Sequence, residues 1–126
     1  MANLKILLVD DDGGVNYLNR FLLEQSGRET EIQIAENGRE ALAISEKNGV
    51  CPDVIVLDVN MPVMDGFEFL QVLKETTPYY NTATVYVNTS SLRESDKETA
   101  LSFTCVKGYF EKPLSEGIIK KIFNIS

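Results

Sequence analysis

The chain alternates short apolar segments with longer segments in which apolar residues recur at helical spacing. The short segments predict five β-strands, at Leu4–Val9, Glu31–Ala35, Val54–Leu57, Ala83–Val87 and Gly108–Glu111. The first and the third are apolar almost throughout, which is typical of strands that are covered on both faces. The second alternates between apolar and polar residues, as an edge strand does, with Ile32 and Ile34 on the same side.

The segments that follow the strands predict five helices. The first follows Asp12, whose side chain can cap it, and its predicted apolar face consists of Val15, Leu18, Phe21 and Leu22. The others are predicted to begin at Asn37-Gly38, at the capping pair Asp65 and Glu68, at Glu94 (continuing to Phe103) and after Ser115. Alternating strands and helices predict an α/β domain with a parallel sheet. The chain has 126 residues, and we expect residues 1–126 to form a single domain.

Charge and composition exclude several classes of function. Twelve basic and nineteen acidic residues give 12 − 19 = −7, which argues against non-specific binding of nucleic acid. The chain has no histidine, which excludes imidazole metal sites, histidine-based catalytic triads and a role as a phosphohistidine donor. No segment reaches the roughly 18 consecutive apolar residues of a membrane span, and the first residues lack a signal-peptide pattern. We therefore expect a cytoplasmic protein without a membrane partner.

Polar residues stand at the ends of four predicted strands. They are Asp10-Asp11-Asp12 after the first strand, Asp58 after the third, Thr89-Ser90-Ser91 after the fourth and Lys112-Pro113 after the fifth. The carboxyl ends of parallel strands lie at one edge of the sheet, where open α/β sheets bind their ligands. Each group alone has an ordinary explanation, as solvated loop residues, a helix cap or a surface charge. Their joint placement favours a functional site.

Three clustered carboxylates repel one another unless a cation neutralises them. Oxygen ligands from a few carboxylates, water and a phosphoryl group suit Mg²⁺. We expect one acid to bind the metal, a second to act through water and the third to be a nucleophile, because a carboxylate can attack phosphorus and form an aspartyl phosphate. Lys112 would then supply a positive charge, and Thr89 a hydroxyl group, to the phosphoryl oxygens.

The motifs together resemble the receiver domain of two-component response regulators. The resemblance extends from Lys5 to about Phe123, and its parts are Val9-Asp10-Asp11, Leu57-Asp58-Val59-Asn60-Met61-Pro62, Met64-Asp65-Gly66, Thr89-Ser90 and Lys112-Pro113. It implies a flavodoxin-like, doubly wound sheet of five parallel strands in the order 2-1-3-4-5, with five helices. We interpret Asp65-Gly66 as a turn and not as part of the site.

The resemblance also implies roles for individual residues. Asp58 would be the phosphoacceptor, and Mg²⁺ would be bound by Asp10, Asp11, Asp58 and the backbone carbonyl of Asn60. The run of three acids leaves open which two serve the metal, and the register from Val9 favours the first two. Lys112 would bind the phosphoryl group, its peptide bond to Pro113 would be cis, and Thr89 would be the switch hydroxyl. Tyr109 matches the aromatic residue that changes rotamer with Thr89, or is a half-buried edge-strand aromatic.

The expected function is that of a stand-alone response regulator receiver without an output domain. It would accept a phosphoryl group from a histidine kinase or a phosphotransfer protein, and would signal to a downstream protein through the face of the fourth helix, fifth strand and fifth helix. The fourth helix has few large apolar residues, so we expect it to be the most weakly held. Two alternatives remain: a pseudo-receiver that binds a partner without phosphorylation, and an aspartyl-phosphate-forming phosphatase, although the chain lacks a loop long enough for a lid.

Overall fold

The computed structural model describes residues 3–48, 52–76 and 83–124, in which strands and helices alternate. The strands are β1 (Leu4–Val9), β2 (Thr30–Ala35), β3 (Val54–Leu57), β4 (Thr84–Thr89) and β5 (Val106–Glu111). The helices are α1 (Gly13–Glu24), α2 (Gly38–Asn48), α3 (Gly66–Thr76), α4 (Glu94–Leu101) and α5 (Glu116–Asn124). The strands form one parallel sheet in the order β2-β1-β3-β4-β5, which confirms the predicted flavodoxin-like topology.

Helices cover both faces of the sheet. Side chains alternate along a strand, so each strand contributes to two apolar clusters. Leu7 and Leu57 belong to the cluster that the side chains of α2, α3 and α4 complete, whereas Leu8 and Val56 belong to the cluster completed by α1 and α5. The central strands are therefore apolar on both faces of the sheet, and their polar residues lie near the strand ends. Among the described residues, no helix has the length and apolar character needed to cross a membrane.

The two strands at the β4–β5 edge are longer than predicted. β4 runs to Thr89 and not to Val87, and β5 begins at Val106 and not at Gly108. The strands extend because backbone pairing continues where the apolar pattern ends: Asn88 pairs with Phe110 and Thr89 with Glu111. Thr89 is consequently a buried strand residue, and its backbone is held by the sheet. Helix α4 is shorter than predicted and ends at Leu101.

The predicted apolar face of α1 is wrong. The buried residues of this helix are Asn16, Asn19 and Leu23, whereas Leu18 and Phe21 are 40% and 49% exposed. The buried three share one helix face because they are spaced by three and four residues. The hydrophobic pattern predicted the wrong face because two of the inward positions are asparagines. Their amides are hydrogen-bonded to groups outside α1. The outer face of α1 thus presents apolar side chains to solvent.

The predicted helix caps are confirmed. The Asp12 carboxylate accepts hydrogen bonds from the backbone N–H groups of Gly14 and Val15, and Ser115 Oγ accepts one from Ile118. Asp65 and Glu68 form the reciprocal capping box of α3: each backbone N–H donates to the carboxylate of the other residue, at 3.0 and 2.8 Å. These caps fix the helix starts that directly follow β1, β3 and β5.

Candidate functional site

The acidic cluster lies at the carboxyl edge of the sheet, at the ends of β1 and β3. Val9 pairs with Leu57 across β1 and β3, so Asp10 and Asp58 emerge side by side. The backbone N–H of Asp58 donates to the carbonyl oxygen of Val9 at 2.9 Å, which fixes this neighbourhood. Asp10 and Asp58 are buried and Asp11 is exposed, and carboxylate oxygens of the three lie within 4.8 Å of one another.

Asp12 does not belong to this group of carboxylates. Its Oδ1 is held by the N–H groups of Gly14 and Val15 at 2.9 and 3.3 Å, and it therefore acts as the cap of α1. Of the three consecutive acids, the first two are those that approach Asp58. Asp12 is thus a structural residue that caps α1, whereas Asp10 and Asp11 belong to the cluster with Asp58.

Lys112 bridges the two buried acids. Its Nζ lies 2.8 Å from Asp10 Oδ2 and 3.0 Å from Asp58 Oδ2. Desolvation alone would lower the pKa of Lys112, but the hydrogen bonds and charges of Asp10 and Asp58 outweigh it and raise this pKa above its ordinary value. The lysine therefore stays charged at neutral pH.

The cluster keeps a negative charge even with this lysine. Three carboxylates and one ammonium sum to 1 − 3 = −2 when all are charged. The pKa of Asp10 is raised, mainly because burial desolvates its carboxylate, while the hydrogen bond from Lys112 acts in the opposite direction. Clustered oxygen ligands with a residual charge of −2 fit a hard divalent cation such as Mg²⁺. Asp10, Asp11 and Asp58 could hold it.

The loop after Asp58 is held tightly against the start of α3. The Asn60 N–H lies 3.4 Å from Asp58 Oδ1, and the Gly66 N–H donates to the carbonyl oxygen of Val59 at 3.0 Å. A Cβ atom at Gly66 would collide with the carbonyl oxygen of Asp58 and would lie 2.8 Å from Val59 Cα. The sequence pattern indicates only a turn at Gly66. The structure gives this residue a further role, because the missing side chain lets the backbone of Asp58 approach α3.

Thr89, Ser91 and Tyr109 are linked by hydrogen bonds next to the cluster. The Ser91 N–H donates to Thr89 Oγ1 at 3.2 Å, and the Tyr109 hydroxyl donates to the Ser91 carbonyl oxygen at 3.0 Å. Ser91 Oγ also donates to Asp96 Oδ2 at 2.6 Å, on the first turn of α4. Ser91 therefore connects the strand end of β4 with both Tyr109 and α4, a connection that the sequence pattern did not reveal.

The peptide bond between Lys112 and Pro113 is cis, as the resemblance implied. The N–H of Lys112 donates to the carbonyl oxygen of Thr89 at 3.0 Å, which ties the segment after β5 to the end of β4. The proposed metal-binding and phosphoryl-binding residues, including Asn60, thus lie at one edge of the sheet, whereas Tyr109 lies within β5, two residues before its end.

The fold and the residues at the carboxyl edge of the sheet define the class of protein. It is a flavodoxin-like α/β domain with an acidic cluster and a lysine beside the central strand ends. A sequence profile of the response regulator receiver domain matches residues 6–124. The chain therefore belongs to the response regulator receiver family, a family of two-component signalling domains that interact with histidine kinases or phosphotransfer proteins.

Individual relatives agree with this assignment. The structure of a two-component response regulator from Cytophaga hutchinsonii superposes with a TM-score of 0.90 at 30% sequence identity, covering 98% of this chain and 97% of that one. An uncharacterized 14.6 kDa protein of Leptolyngbya boryana is 37% identical over 90% of this chain and 82% of its own length. The transcriptional regulatory protein TrcR of Mycobacterium tuberculosis is 33% identical over 89% of this chain, but the match spans 40% of that protein.

Proposed function

We propose that the chain accepts a phosphoryl group on Asp58 from a histidine kinase or a phosphotransfer protein, in a reaction that depends on Mg²⁺. The observation that carries the proposal is the position of Asp58, which is buried, lies 3.0 Å from Lys112 Nζ and has a carboxylate oxygen within 4.8 Å of those of Asp10 and Asp11. A carboxylate in this position can act as a nucleophile towards phosphorus. The stand-alone role, the absence of an output domain and the cytoplasmic location stay predictions.

In the proposed reaction, a carboxylate oxygen of Asp58 forms the new P–O bond. The P–N bond to the imidazole of the donor breaks, and its electron pair stays on that nitrogen. Asp10, Asp11, Asp58 and the carbonyl of Asn60 would hold Mg²⁺, which when bound supplies charge neutralisation for the phosphoryl oxygens. Lys112 Nζ, now 3.0 Å from Asp58 Oδ2, would donate to a phosphoryl oxygen.

We propose that the readout begins at Thr89. The added group carries about −1.5 to −2 charges and would attract the Thr89 hydroxyl, which now accepts a hydrogen bond from Ser91. Moving Thr89 towards the phosphoryl group would break this bond and disturb the contacts of Ser91 with Tyr109 and Asp96. The change would thereby reach α4.

The proposed partner surface is the face formed by α4, β5 and α5. Within α4 the buried residue is Ala100, and Leu92 and Leu101 beside it are 77% and 45% exposed. An element with little buried apolar surface is easily shifted. This surface would bind the downstream protein.

Intact-mass spectrometry after incubation with acetyl phosphate and Mg²⁺ tests the proposal. We expect the addition of one phosphoryl group to the wild-type chain and none to the Asp58→Asn variant. Asp12→Asn is the matched control, because asparagine also caps helices and Asp12 lies outside the cluster; it should be phosphorylated like the wild type. Stable labelling of Asp58→Asn would refute the assignment.

A further inference from the structure

Three buried asparagines lie next to the acidic cluster without belonging to it. Asn16 and Asn19 lie on α1 and Asn88 lies on β4, and each has a relative exposure of 2%. A buried carboxamide is unfavourable unless it is hydrogen-bonded. The partners of these amides therefore indicate what the amides hold in place.

The side chains of Asn19 and Asn88 form a chain of hydrogen bonds that ends on the backbone at both ends. The Leu114 N–H donates to Asn19 Oδ1 at 3.1 Å, and Asn19 Nδ2 donates to Asn88 Oδ1 at 3.2 Å. Asn88 Nδ2 then donates to the carbonyl oxygen of Glu111, also at 3.2 Å. An N–H group only donates and a carbonyl only accepts, so the two ends fix the orientation of both amides.

These two backbone groups flank Lys112. Glu111 precedes the lysine, Leu114 follows it by two residues, and the lysine N–H is bonded to the Thr89 carbonyl oxygen at 3.0 Å. The segment that carries Lys112 is thus held on both sides by amides and in the middle by the end of β4.

We infer that Asn19 and Asn88 are positioning residues that hold the Lys112 ammonium between Asp10 and Asp58. Lysine is a point charge on a flexible four-carbon stem, so the location of Nζ depends on where its backbone is fixed. The inference rests on the proposed function, in which Lys112 contacts the transferred phosphoryl group. A displacement of about 1 Å at such a group can slow a reaction roughly 100-fold.

The ammonium group itself can be observed without any phosphoryl donor. In the full chain, the ¹⁵N–¹H signal of the Lys112 side chain should be protected from exchange by its two carboxylate partners. Asn19→Leu and Asn88→Leu have similar side-chain volume but lack the amide, and in both we expect loss of this signal through exchange with water. Asn88→Ala is a second variant if leucine is not accommodated in the fold. A signal that persists in the folded variants overturns the inference.

Ser115→Ala is the matched control for this measurement. It removes the Ser115 hydrogen bond to Ile118 immediately after Leu114, but it leaves the amide chain intact. The control should lose some stability through its missing cap and keep the Lys112 signal. Loss of the signal in Ser115→Ala as well would show that general destabilisation, and not the amides, controls Lys112.

Phosphorylation by acetyl phosphate gives a second readout. Asn88→Leu should react about tenfold more slowly than the wild type, which corresponds to about 1.4 kcal/mol. In a Lys112→Ala background the same substitution should have no further effect, because a positioning residue acts through the lysine. An equal slowing in both backgrounds contradicts the inference. If the wild-type chain takes up no phosphoryl group, the proposed function fails, and the ammonium signal still decides whether the asparagines hold Lys112.

Discussion

Replacing Lys112 by methionine should destabilise the metal-free protein, because two buried carboxylates would then face each other without a counter-charge. The Lys112 ammonium lies 2.8 Å from Asp10 and 3.0 Å from Asp58, and its side chain is 16% exposed. Removing one partner of a buried ion pair costs about 3–5 kcal/mol. Asp11 beside the pair is exposed, and water near it can screen the charges. We therefore expect a loss of about 3 kcal/mol in the free energy of unfolding.

Urea unfolding with a chelator, and then with Mg²⁺, measures this effect. Without the lysine the cluster carries a charge of −3 and not −2, so Mg²⁺ should bind the variant more tightly and stabilise it more. A cation at about 100 times its Kd adds about 2.7 kcal/mol, which would recover most of the loss. Lys120→Met is the control, because its pair with Glu116 is exposed, and it should leave the stability unchanged. Equal stability of Lys112→Met and the wild type in the chelator would refute the reasoning.

The difference in the free energy of unfolding between the wild type and Lys112→Met should depend on pH, because the pKa of Lys112 is raised. Its hydrogen bonds to Asp10 and Asp58 outweigh desolvation and raise this pKa above 10.5. A group with a raised folded-state pKa contributes its stabilisation fully below the unfolded value and loses it as the pH rises through the folded value. The contribution of the lysine to the stability difference between wild type and Lys112→Met should therefore be fully present from neutral pH up to pH 10.5 and should shrink above pH 10.5.

Three further predictions concern the loop, the metal and the switch. Gly66→Ala should lower the free energy of unfolding by about 1–3 kcal/mol, and should slow phosphorylation, because the new methyl group meets the backbone of Asp58; an unchanged urea midpoint would contradict this. Asp11→Ala should weaken Mg²⁺ binding in a calorimetric titration with little change in stability, since Asp11 is exposed; unchanged affinity would remove it from the site. Beryllofluoride with Mg²⁺ should alter amide hydrogen exchange in residues 90–103 and around Tyr109, whereas changes confined to the loops at Asp11 and Asp58 would mean that the surface does not switch.

Much of the fold was predictable because it depends on local patterns. Buried parallel strands are continuous apolar segments, so β1 and β3 were predicted with their observed bounds, and the residues that follow them were placed at one edge of the sheet. The caps at Asp12 and Ser115 were equally local.

The features that were missed depend on contacts between residues that are far apart in the sequence. Asn19 meets Leu114 across 95 residues, and Asn88 meets Glu111 across 23. In the sequence these amides interrupt the apolar pattern, so the face of α1 was predicted wrongly and β4 was predicted too short. The role of Gly66 was missed for the same reason, since its crowding comes from the backbone of Asp58.

The central claim is that Asp58 is the residue that receives the phosphoryl group. Borohydride reduces an aspartyl phosphate to homoserine, and peptide mass spectrometry then locates the converted residue. After incubation with acetyl phosphate and Mg²⁺, we expect homoserine at position 58, with aspartate retained at positions 10, 11 and 12, and no conversion when the metal is chelated. Homoserine at one of the other three positions, or a wild-type chain that is not converted at all, would contradict the account.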